Sequence, residues 1–371
     1  MKCLLLIAAL ACLQLHAQQT RSGPWVMESS GTTAGLRGIH AVGDGSIAWA
    51  SGTGGTILRT EDAGYLWQRC AVPPDAAGLD FRGIWAWDEN TAIVMSSGPG
   101  NQSRIYKTTD GCAHWKLLVT NPDKDGFWDA MAFSIEGQGY VLGDPVRAPD
   151  RTSKEFQMFI SQDFGGHWSR QTQDFYDEMG ATNAAGAFAA SNSSLSILHH
   201  HAWFGTGGTA DPYVFIGDRY DVTPLHTMCS CIGPVQNETW ITHRVKVPMA
   251  GGNASSGIFS LAFRDRANGI AVGGDYKKPN ATAGTAAWTS DGGEHWTAAT
   301  KPPHGFRSAV AWDPAAHVWI TAGTNGSDVS YDDGRAWTPL DNGNWNAISL
   351  PYIVGPHGRI AKLDGSKLPK R

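Results

Sequence analysis

The stretch TSDGGEHW, residues 289–296, places one aspartate, two glycines and one tryptophan close together. Four further segments fit the same pattern, Ser/Thr-x-Asp-x-Gly-x-x-Trp, although Cys112 replaces the glycine in one of them: TEDAGYLW (60–67), TTDGCAHW (108–115), SQDFGGHW (161–168) and SYDDGRAW (330–337). We call these five segments the Asp-Trp turns. They recur about every 40 to 50 residues, apart from one longer gap between Trp168 and Trp296, and this period is typical of propeller blades.

Each Asp-Trp turn has the composition of a hairpin turn between two strands. The aspartate can accept hydrogen bonds from nearby backbone N–H groups, and the glycine can adopt a positive φ. The tryptophan then begins the next strand and can bury its ring against a neighbouring repeat. We therefore predict a structural role for this recurring pattern. Its members are Asp62, Trp67, Asp110, Trp115, Asp163, Trp168, Asp291, Trp296, Asp332 and Trp337.

The segments that precede the turns also share one plan. FRGIWAWDENTAIVMSSG (81–98), FSLAFRDRANGIAVGG (259–274) and FRSAVAWDPAAHVWITAG (306–323) each contain an apolar run, a polar turn and a second apolar run ending in glycine. Short apolar runs bounded by turn residues are typical of β-strands. Each repeat is therefore predicted to be a four-stranded unit, with strands a, b and c, the Asp-Trp turn, and strand d.

Counting these units predicts an all-β, seven-bladed β-propeller of four-stranded blades, with six or eight blades as the alternatives. The fourth blade lacks an Asp-Trp turn. We predict its strands a and b in GAFAASNSSLSILHHHAWFGTGG (186–208), its strands c and d in PYVFIGD (212–218) and ETWITHRVKV (238–247), and an insertion at about residues 219–238. The last blade has three strands in 345–364, so PWVMESS (24–30) is predicted to join it, closing the ring and removing free sheet edges.

The N-terminal residues have the pattern of a signal peptide, residues 1–17. Lys2 precedes an apolar run from Cys3 to Leu13, and Ala17 is a suitable cleavage position. The run is too short to span a bilayer, and a lipoprotein modified at Cys12 is the alternative. We expect a mature chain of residues 18–371, forming one propeller, exported to the periplasm or beyond the cell, with no transmembrane segment.

Four cysteines follow the predicted cleavage site: Cys70, Cys112, Cys229 and Cys231. An oxidising compartment permits disulfides, but the pairing cannot be deduced from the sequence. His226 lies near the last two cysteines, and His199–His201 form a second cluster, yet neither has four evident zinc ligands. No dinucleotide, haem or flavin motif is present. We therefore expect neither a metal nor a cofactor.

Composition limits the partners. Charged residues are 17% of the chain and the net charge is −5, so the sequence has no basic stripe that could neutralise phosphates. We expect no nucleic-acid partner. We expect a monomer whose partner is another protein or a glycan.

Because strands alternate in direction, the a–b and c–d turns lie on one face, which we call the turn face. The b–c and d–a loops lie on the other, the loop face, and they are longer and less regular: GPGNQS (98–103), DPVRAPDRTSKEF (144–156), GTGGTADP (205–212) and DYKKPNATAG (275–284). Irregular loops on a rigid scaffold are where binding residues gather. The loop face is therefore the predicted working surface.

Several polar residues recur where strand a begins on this face. Arg37, Arg82, Asp129, Arg307 and Asn346 each follow the opening apolar residue of strand a. Three arginines around the channel mouth could bind a carboxylate or sulfate, or they could pair with carboxylates and join blades. Other candidates at this face are Asp144 and Asp275, which end strand b, and Tyr276 and Trp203, which could stack on a ligand.

The Asp-Trp turns resemble the Asp-box, or BNR, repeats of sialidases. The whole unit, with GIAVGG (269–274), TSDGGEHW and FRSAVAW (306–312), is more similar to the photosystem II stability/assembly factor-like propellers, which include exported bacterial relatives. This resemblance covers nearly all of the mature chain and implies a propeller that serves a client protein. The chain departs from both groups, since it lacks a basic surface patch and has LRGI (36–39) and FRGI (81–84) without the proline of the sialidase Arg-Ile-Pro motif. We predict an exported, non-enzymatic protein-binding or assembly scaffold, with a glycan-active hydrolase or lectin as the alternative.

Overall fold

The computed structural model describes residues 23–147, 154–171, 180–181, 185–199, 201–208, 211–221 and 238–370. These residues form seven antiparallel sheets, each containing the four strands of one propeller blade. Apart from two 3₁₀ turns, Gly100–Gln102 and Gly365–Lys367, the regular structure in the described part of the chain is β-strand. The predicted all-β, seven-bladed propeller is confirmed.

The first strand of the chain stands apart from the first complete blade, and three complete blades follow it. The first strand is β1 (Trp25–Glu28). Blade 1 contains β2 (Leu36–Val42), β3 (Ile47–Gly52), β4 (Ile57–Thr60) and β5 (Gln68–Arg69). Blade 2 contains β6 (Phe81–Ala86), β7 (Ala92–Ser96), β8 (Arg104–Thr108) and β9 (Lys116–Thr120). Blade 3 contains β10 (Trp128–Phe133), β11 (Gly139–Arg147), β12 (Lys154–Ser161) and β13 (Ser169–Arg170), and the short β14 (Gly180–Ala181) pairs with β12.

Four blades complete the ring. After β15 (Ala185–Gly186), blade 4 has β16 (Leu195–Leu198) and β17 (His201–Gly205), then β18 (Gly207–Gly208) intervenes before β19 (Tyr213–Asp221) and β20 (Glu238–Lys246). Blade 5 contains β21 (Asn253–Phe263), β22 (Gly269–Asp275), β23 (Ala286–Thr289) and β24 (Thr297–Ala298), and it also takes β18 and β15. Blade 6 contains β25 (Ala309–Asp313), β26 (Val318–Gly323), β27 (Gly326–Ser330) and β28 (Thr338–Asp341). Blade 7 contains β29 (Ala347–Ser349), β30 (Tyr352–Val354) and β31 (Ile360–Leu363).

The N-terminal strand completes blade 7, as the sequence predicts. Strand β1 pairs antiparallel with β31, from Trp25 opposite Leu363 to Glu28 opposite Ile360. At the seam between blades 7 and 1, the Leu36 N–H donates to the Gly355 carbonyl at 3.1 Å. The ring is therefore closed by a sheet that contains both ends of the propeller.

The Asp-Trp turns share one hydrogen-bonding geometry. In the turn of blade 5, the Asp291 carboxylate accepts from the His295 N–H at 3.0 Å, and the Thr289 hydroxyl accepts from the Gly293 N–H at 3.0 Å. The same pair of bonds occurs in the turns containing Asp62, Asp110, Asp163 and Asp332. The fifth position of all five turns has a positive φ, even at Cys112, where φ is 67°. A small set of local bonds thus fixes every turn.

The tryptophans of these turns pack against the preceding blade. Trp67 of blade 1 meets Tyr352 of blade 7 edge to face, with ring centroids 5.5 Å apart. Trp115 of blade 2 meets Trp49 of blade 1 at 6.5 Å. Trp337 of blade 6 is buried in a cluster with apolar residues of blade 5. The turns therefore join neighbouring blades as well as strands of one blade.

Cys70 and Cys112 form a disulfide between blades 1 and 2, with their Cα atoms 5.3 Å apart. The sequence left this pairing open.

Cys229, Cys231 and His226 lie outside the described residues, as do the predicted signal peptide and residues 222–237 of the predicted insertion. Strands β19 and β20 pair as far as Asp221 and Glu238, so the ladder extends into both ends of that predicted insertion. No helix of the described residues has the length and apolar character needed to cross a membrane.

The two inner strands of blade 4 lie within the predicted range of residues 186–208. They are β16, Leu195–Leu198, and β17, His201–Gly205, so residues 186–194 precede both strands. The residues before β16 take a different course. Ala185 and Gly186 pair with Gly208 and Gly207, in the sheet of blade 5.

Candidate functional site

Three of the five recurring polar residues lie at bulges near the loop-face ends of the inner strands, whereas Arg307 and Asn346 lie just before β25 and β29. The register shifts between Leu36 and Gly38, between Phe81 and Gly83, and between Trp128 and Ala130, which leaves Arg37, Arg82 and Asp129 as the extra residues. A bulge leaves one residue out of the ladder and redirects its side chain. Blade 5 has the same irregularity between Ile258 and Ser260, and its extra residue is Phe259. A pattern of polar residues does not include this aromatic member.

Arg37 and Arg82 share one carboxylate. The Arg82 Nε donates to Asp80 Oδ2 at 2.9 Å, and the Arg37 Nε lies 3.9 Å from Asp80 Oδ1. Burial lowers the pKa of Arg37, while Asp80 opposes this shift and Arg82 adds to it. Asp80 directly precedes β6 and was not among the predicted site residues. It was recognisable only as a carboxylate before the FRGI stretch.

Arg307 does not join this pair. Its side chain and that of Asp328 are both fully buried, and the Arg307 Nε donates to Asp328 Oδ2 at 2.7 Å. Its other donors reach the Asn325 side chain, the Phe306 carbonyl and His304. The three arginines therefore form no common clamp. The carboxylate that Arg307 binds is Asp328, which the sequence analysis did not single out, rather than Asp144 or Asp275.

Asp129 and Asp144 form an acidic pair in blade 3, in which Asp129 is buried and Asp144 is half-buried. Burial raises the pKa of Asp129 well above its usual value, and the negative charge of Asp144 raises it further, while Arg82 opposes the shift. Burial also raises the pKa of Asp144, and a hydrogen bond from the Ala187 N–H opposes that rise. Both carboxyl groups therefore lie in a poorly solvated part of the channel mouth.

Residues 185–193, which we call the crossing segment, lie against this polar cluster. The Ala187 N–H donates to Asp144 Oδ1 at 3.1 Å. The Arg82 Nη1 donates to the Ala189 carbonyl at 2.9 Å. A guanidinium from blade 2 and a carboxylate from blade 3 thus hold main-chain groups two residues apart.

The end of the crossing segment is bound to further blades. The Ser191 hydroxyl donates to the Ser308 carbonyl beside blade 6 at 2.6 Å, and the Met131 N–H of blade 3 donates to Asn192 Oδ1 at 2.7 Å. The Leu261 N–H of blade 5 donates to the Ser193 carbonyl at 2.8 Å. With these partners on blades 3, 5 and 6, the segment passes over the central channel at the loop face.

Two further predicted residues on this face, Asn346 and Asp275, have structural partners, and a third, Tyr276, is exposed. The Asn346 Nδ2 donates to the Leu36 carbonyl at 2.7 Å, across the seam between blades 7 and 1. Asp275 accepts from the Lys277 N–H at 3.0 Å and from the Ser255 hydroxyl at 2.7 Å, so it fixes its own loop. Tyr276 remains 46% exposed and can meet a ligand.

Trp203 lies elsewhere than the sequence analysis placed it. Its ring is buried between blades 4 and 5, stacked on Phe263 with centroids 3.9 Å apart. The indole N–H donates to the Gly292 carbonyl in the Asp-Trp turn of blade 5 at 2.7 Å. It therefore belongs to the turn-face side of the core and is not accessible for stacking on a ligand.

No protein-family model matches this sequence, and no curated protein matches it. Among solved structures, the chain is similar to YCF48 bound to D1 peptide, with 15% identity, a TM-score of 0.57, and coverage of 92% of this chain and 96% of that one. YCF48 from Cyanidioschyzon merolae gives 13%, 0.42, 92% and 99% for the same quantities. The GH74 xyloglucanase from Xanthomonas campestris gives 16%, 0.36, 82% and 49%. The first likeness shows a shared fold, and the two lower TM-scores support no argument.

Proposed function

We propose that this protein is an exported, non-enzymatic β-propeller that binds an extended segment of a client protein on its loop face. One observation carries the proposal: Arg82 and Asp144 hold the carbonyl and N–H groups of a piece of chain that lies outside the regular strands at the channel mouth. The site already performs the chemistry of peptide binding on a segment of the protein itself.

The physical basis is the demand of main-chain groups for partners. A backbone N–H or carbonyl that leaves water must be hydrogen-bonded, and charged partners make the stronger bonds. Here a guanidinium donates to one carbonyl, and a carboxylate accepts from an N–H two residues away, so one main-chain group of each kind is satisfied. Such recognition reads the extended backbone and suits a protein that handles client chains.

The fold neighbour described as YCF48 bound to D1 peptide is compatible with this use of a propeller. We extend peptide binding to the present chain, without the identity of that peptide, because its own loop face holds main-chain groups. We further propose that the Asp-Trp turns are Asp boxes, which their shared hydrogen bonds support, and that the chain belongs to an exported bacterial branch of the assembly factor-like propellers.

Export is part of the proposal. The predicted signal peptide at residues 1–17 and the Cys70–Cys112 disulfide both fit an oxidising compartment outside the cytoplasm. We propose that the mature protein acts there as a monomer.

The geometry favours a protein client over a glycan. The glycan alternative depended on a clamp of three arginines around an open pocket. Arg307 is sealed inside blade 6, and Arg37 and Arg82 share the carboxylate of Asp80. At the channel mouth, Arg82 and Asp144 instead bind the main chain of the crossing segment.

Site-specific photo-crosslinking in the cells that produce the protein tests this proposal. Benzoylphenylalanine at Tyr276, on the loop face, should give discrete adducts with polypeptides, and adding Arg82→Gln should weaken them. Tyr65 is 92% exposed and lies in an Asp-Trp turn on the opposite face, so it is the matched control position. Equal adducts from both positions, or none from Tyr276, would contradict loop-face binding.

A further inference from the structure

Phe188 of the crossing segment occupies a slot built for an aromatic ring. Its ring is stacked on Phe259, with centroids 3.8 Å apart and an angle of 14° between the planes. Phe259 is the extra residue of the bulge in blade 5, and it is itself buried. The floor of the slot is therefore fixed by the propeller and is independent of the crossing segment.

Two glycines form the wall of this slot. A Cβ atom added at Gly207 would lie 2.7 Å from Phe188 Cε2, and one added at Gly257 would lie 2.9 Å from it. These two glycines face each other in the pairing of β18 with β21. Any larger residue at either position would fill the space that the ring uses.

The residues on either side of Phe188 are small, and at Gly186 the surroundings leave little room for a side chain. A Cβ added at Gly186 would lie 3.0 Å from Asp144 Oδ1, so a side chain there is crowded. At Ala187 and Ala189, the propeller binds the N–H and the carbonyl of the main chain. Together these contacts describe a site for an extended chain with one aromatic residue between small ones.

We propose that residues 186–189, Gly-Ala-Phe-Ala, are an internal occupant of the client site, and that clients displace them with a similar extended segment carrying phenylalanine in the slot. This inference rests on the proposed function and names its ligand: a peptide with an aromatic residue flanked by small residues. Phe188 is only half-buried, unlike Phe81 of the core, which is fully buried. Its ring therefore reaches the surface, whereas Ala187 and Ala189 are buried, so a client must place small residues at those two positions.

A client must outcompete a tethered segment, which has a high effective concentration. An additional contact, which the crossing segment does not make, is available beside the slot. Tyr276 is 46% exposed and lies 6.1 Å from Phe259 and 6.4 Å from Phe306, centroid to centroid. A client residue next to the aromatic anchor can cover this ring, which the crossing segment leaves uncovered.

A peptide-binding measurement on the full-length mature chain tests the proposal. The probe is a fluorescent peptide with the sequence of residues 185–191, AGAFAAS. In anisotropy titrations, the Phe188→Ser variant should bind the probe saturably, and the unaltered protein should bind it about tenfold more weakly, because its own segment fills the site. The control peptide AGASAAS should not bind, and adding Arg82→Gln to Phe188→Ser should weaken binding of the probe.

The outcomes separate clearly. A folded Phe188→Ser variant that ignores the probe, or that binds both peptides equally, would overturn the proposal. So would a stable dimer of this variant formed by exchange of crossing segments. If Phe188→Ser does not fold, Phe188→Leu carries the same comparison, since it keeps an apolar side chain but loses the ring stacking. Loop-face crosslinks at Tyr276 without probe binding would leave the proposed function standing and remove only this slot.

Discussion

Asp129 is a buried carboxylate that the fold holds under electrostatic stress. Its Oδ2 has no hydrogen-bond partner, and burial together with Asp144 raises its pKa well above the usual value. A raised pKa in the folded state means that the charged form is disfavoured there relative to the unfolded chain. The resulting loss of stability is complete above the folded pKa and disappears as the pH falls to the ordinary value.

Replacing Asp129 with asparagine should therefore stabilise the protein at neutral pH, by about 1–2 kcal/mol, because asparagine has no charged form for burial to disfavour. The gain should shrink as the pH falls towards 4, where the unfolded carboxyl group is also protonated. Thermal melts at several pH values measure this, with Asp125→Asn as the exposed control. A loss of stability at neutral pH, or a gain independent of pH, would contradict the account.

The three arginines of the repeats show that the sequence could predict a residue's position but not its partner. Arg37, Arg82 and Arg307 occupy the same place in their repeats, and the structure puts each near the start of its inner strand. Their exposure differs because only blade 6 supplies a buried partner, Asp328 on β27, together with His304. The repeat position is local information, whereas the partner comes from another strand of the folded blade.

At the scale of elements, the glycine of the Asp-Trp turn meets two demands at once. Gly334 has a φ of 79°, and a Cβ added there would lie 2.2 Å from the Ile270 Cδ1 of blade 5. Backbone strain and the blade contact therefore both oppose a side chain at this position. The same turn shape in blade 2 is occupied by Cys112, whose side chain is taken into the disulfide.

We expect Gly334→Ala to destabilise the protein by about 1–3 kcal/mol, measured by urea denaturation. Gly78 has no atom within 4 Å of an added Cβ and no positive φ, so Gly78→Ala is the matched control. That variant should be neutral or slightly stabilising. Equal effects of the two substitutions would show that the turn does not depend on its glycine.

The crossing segment is the element that local sequence could not predict. Its alanines and phenylalanine have the composition of a buried strand, and the serine-rich residues that follow look like a loop. In the structure, Phe188 is held by Phe259, which is far away in the chain, and the inner strand begins only at Leu195. Long-range contacts decided between two locally acceptable strands.

At the scale of the whole molecule, the ring depends on Trp25 of β1. Its indole N–H donates to the Ser327 hydroxyl of blade 6 at 2.9 Å, and its ring lies 6.2 Å from that of Trp345, centroid to centroid. One side chain thus joins the N-terminal strand, blade 6 and blade 7. Because the blades share clusters with their neighbours, loss of this contact should weaken the complete ring.

Trp25→Ala should lower the free energy of unfolding by about 3–5 kcal/mol, as large-to-small substitutions of buried aromatics do. The unfolding transition should remain single and move to lower denaturant, seen equally by tryptophan fluorescence and far-UV circular dichroism. Val26→Ala, on the same strand but half-exposed, should change little. A separate early transition would mean that blade 7 opens independently of the other six.

The ring itself was predictable because the periodic turns, the strand patterns and the spare N-terminal strand all agree on seven blades. The channel mouth was not, since it is assembled from blades separated by long stretches of chain. Asp80, Asp144 and the crossing segment meet there only after closure. The sequence could name candidate residues, but not the main-chain strip that they surround.

The seam between β1 and β31 also sets the moment at which the protein can be completed. Trp25 pairs with Leu363, so β1 meets β31 only after the intervening blades have left the ribosome. Until then, the growing chain exposes the unpaired edges and apolar faces of an incomplete ring. Export of the unfolded chain, as proposed above, would postpone closure of the ring until β1 and β31 are both in the same compartment.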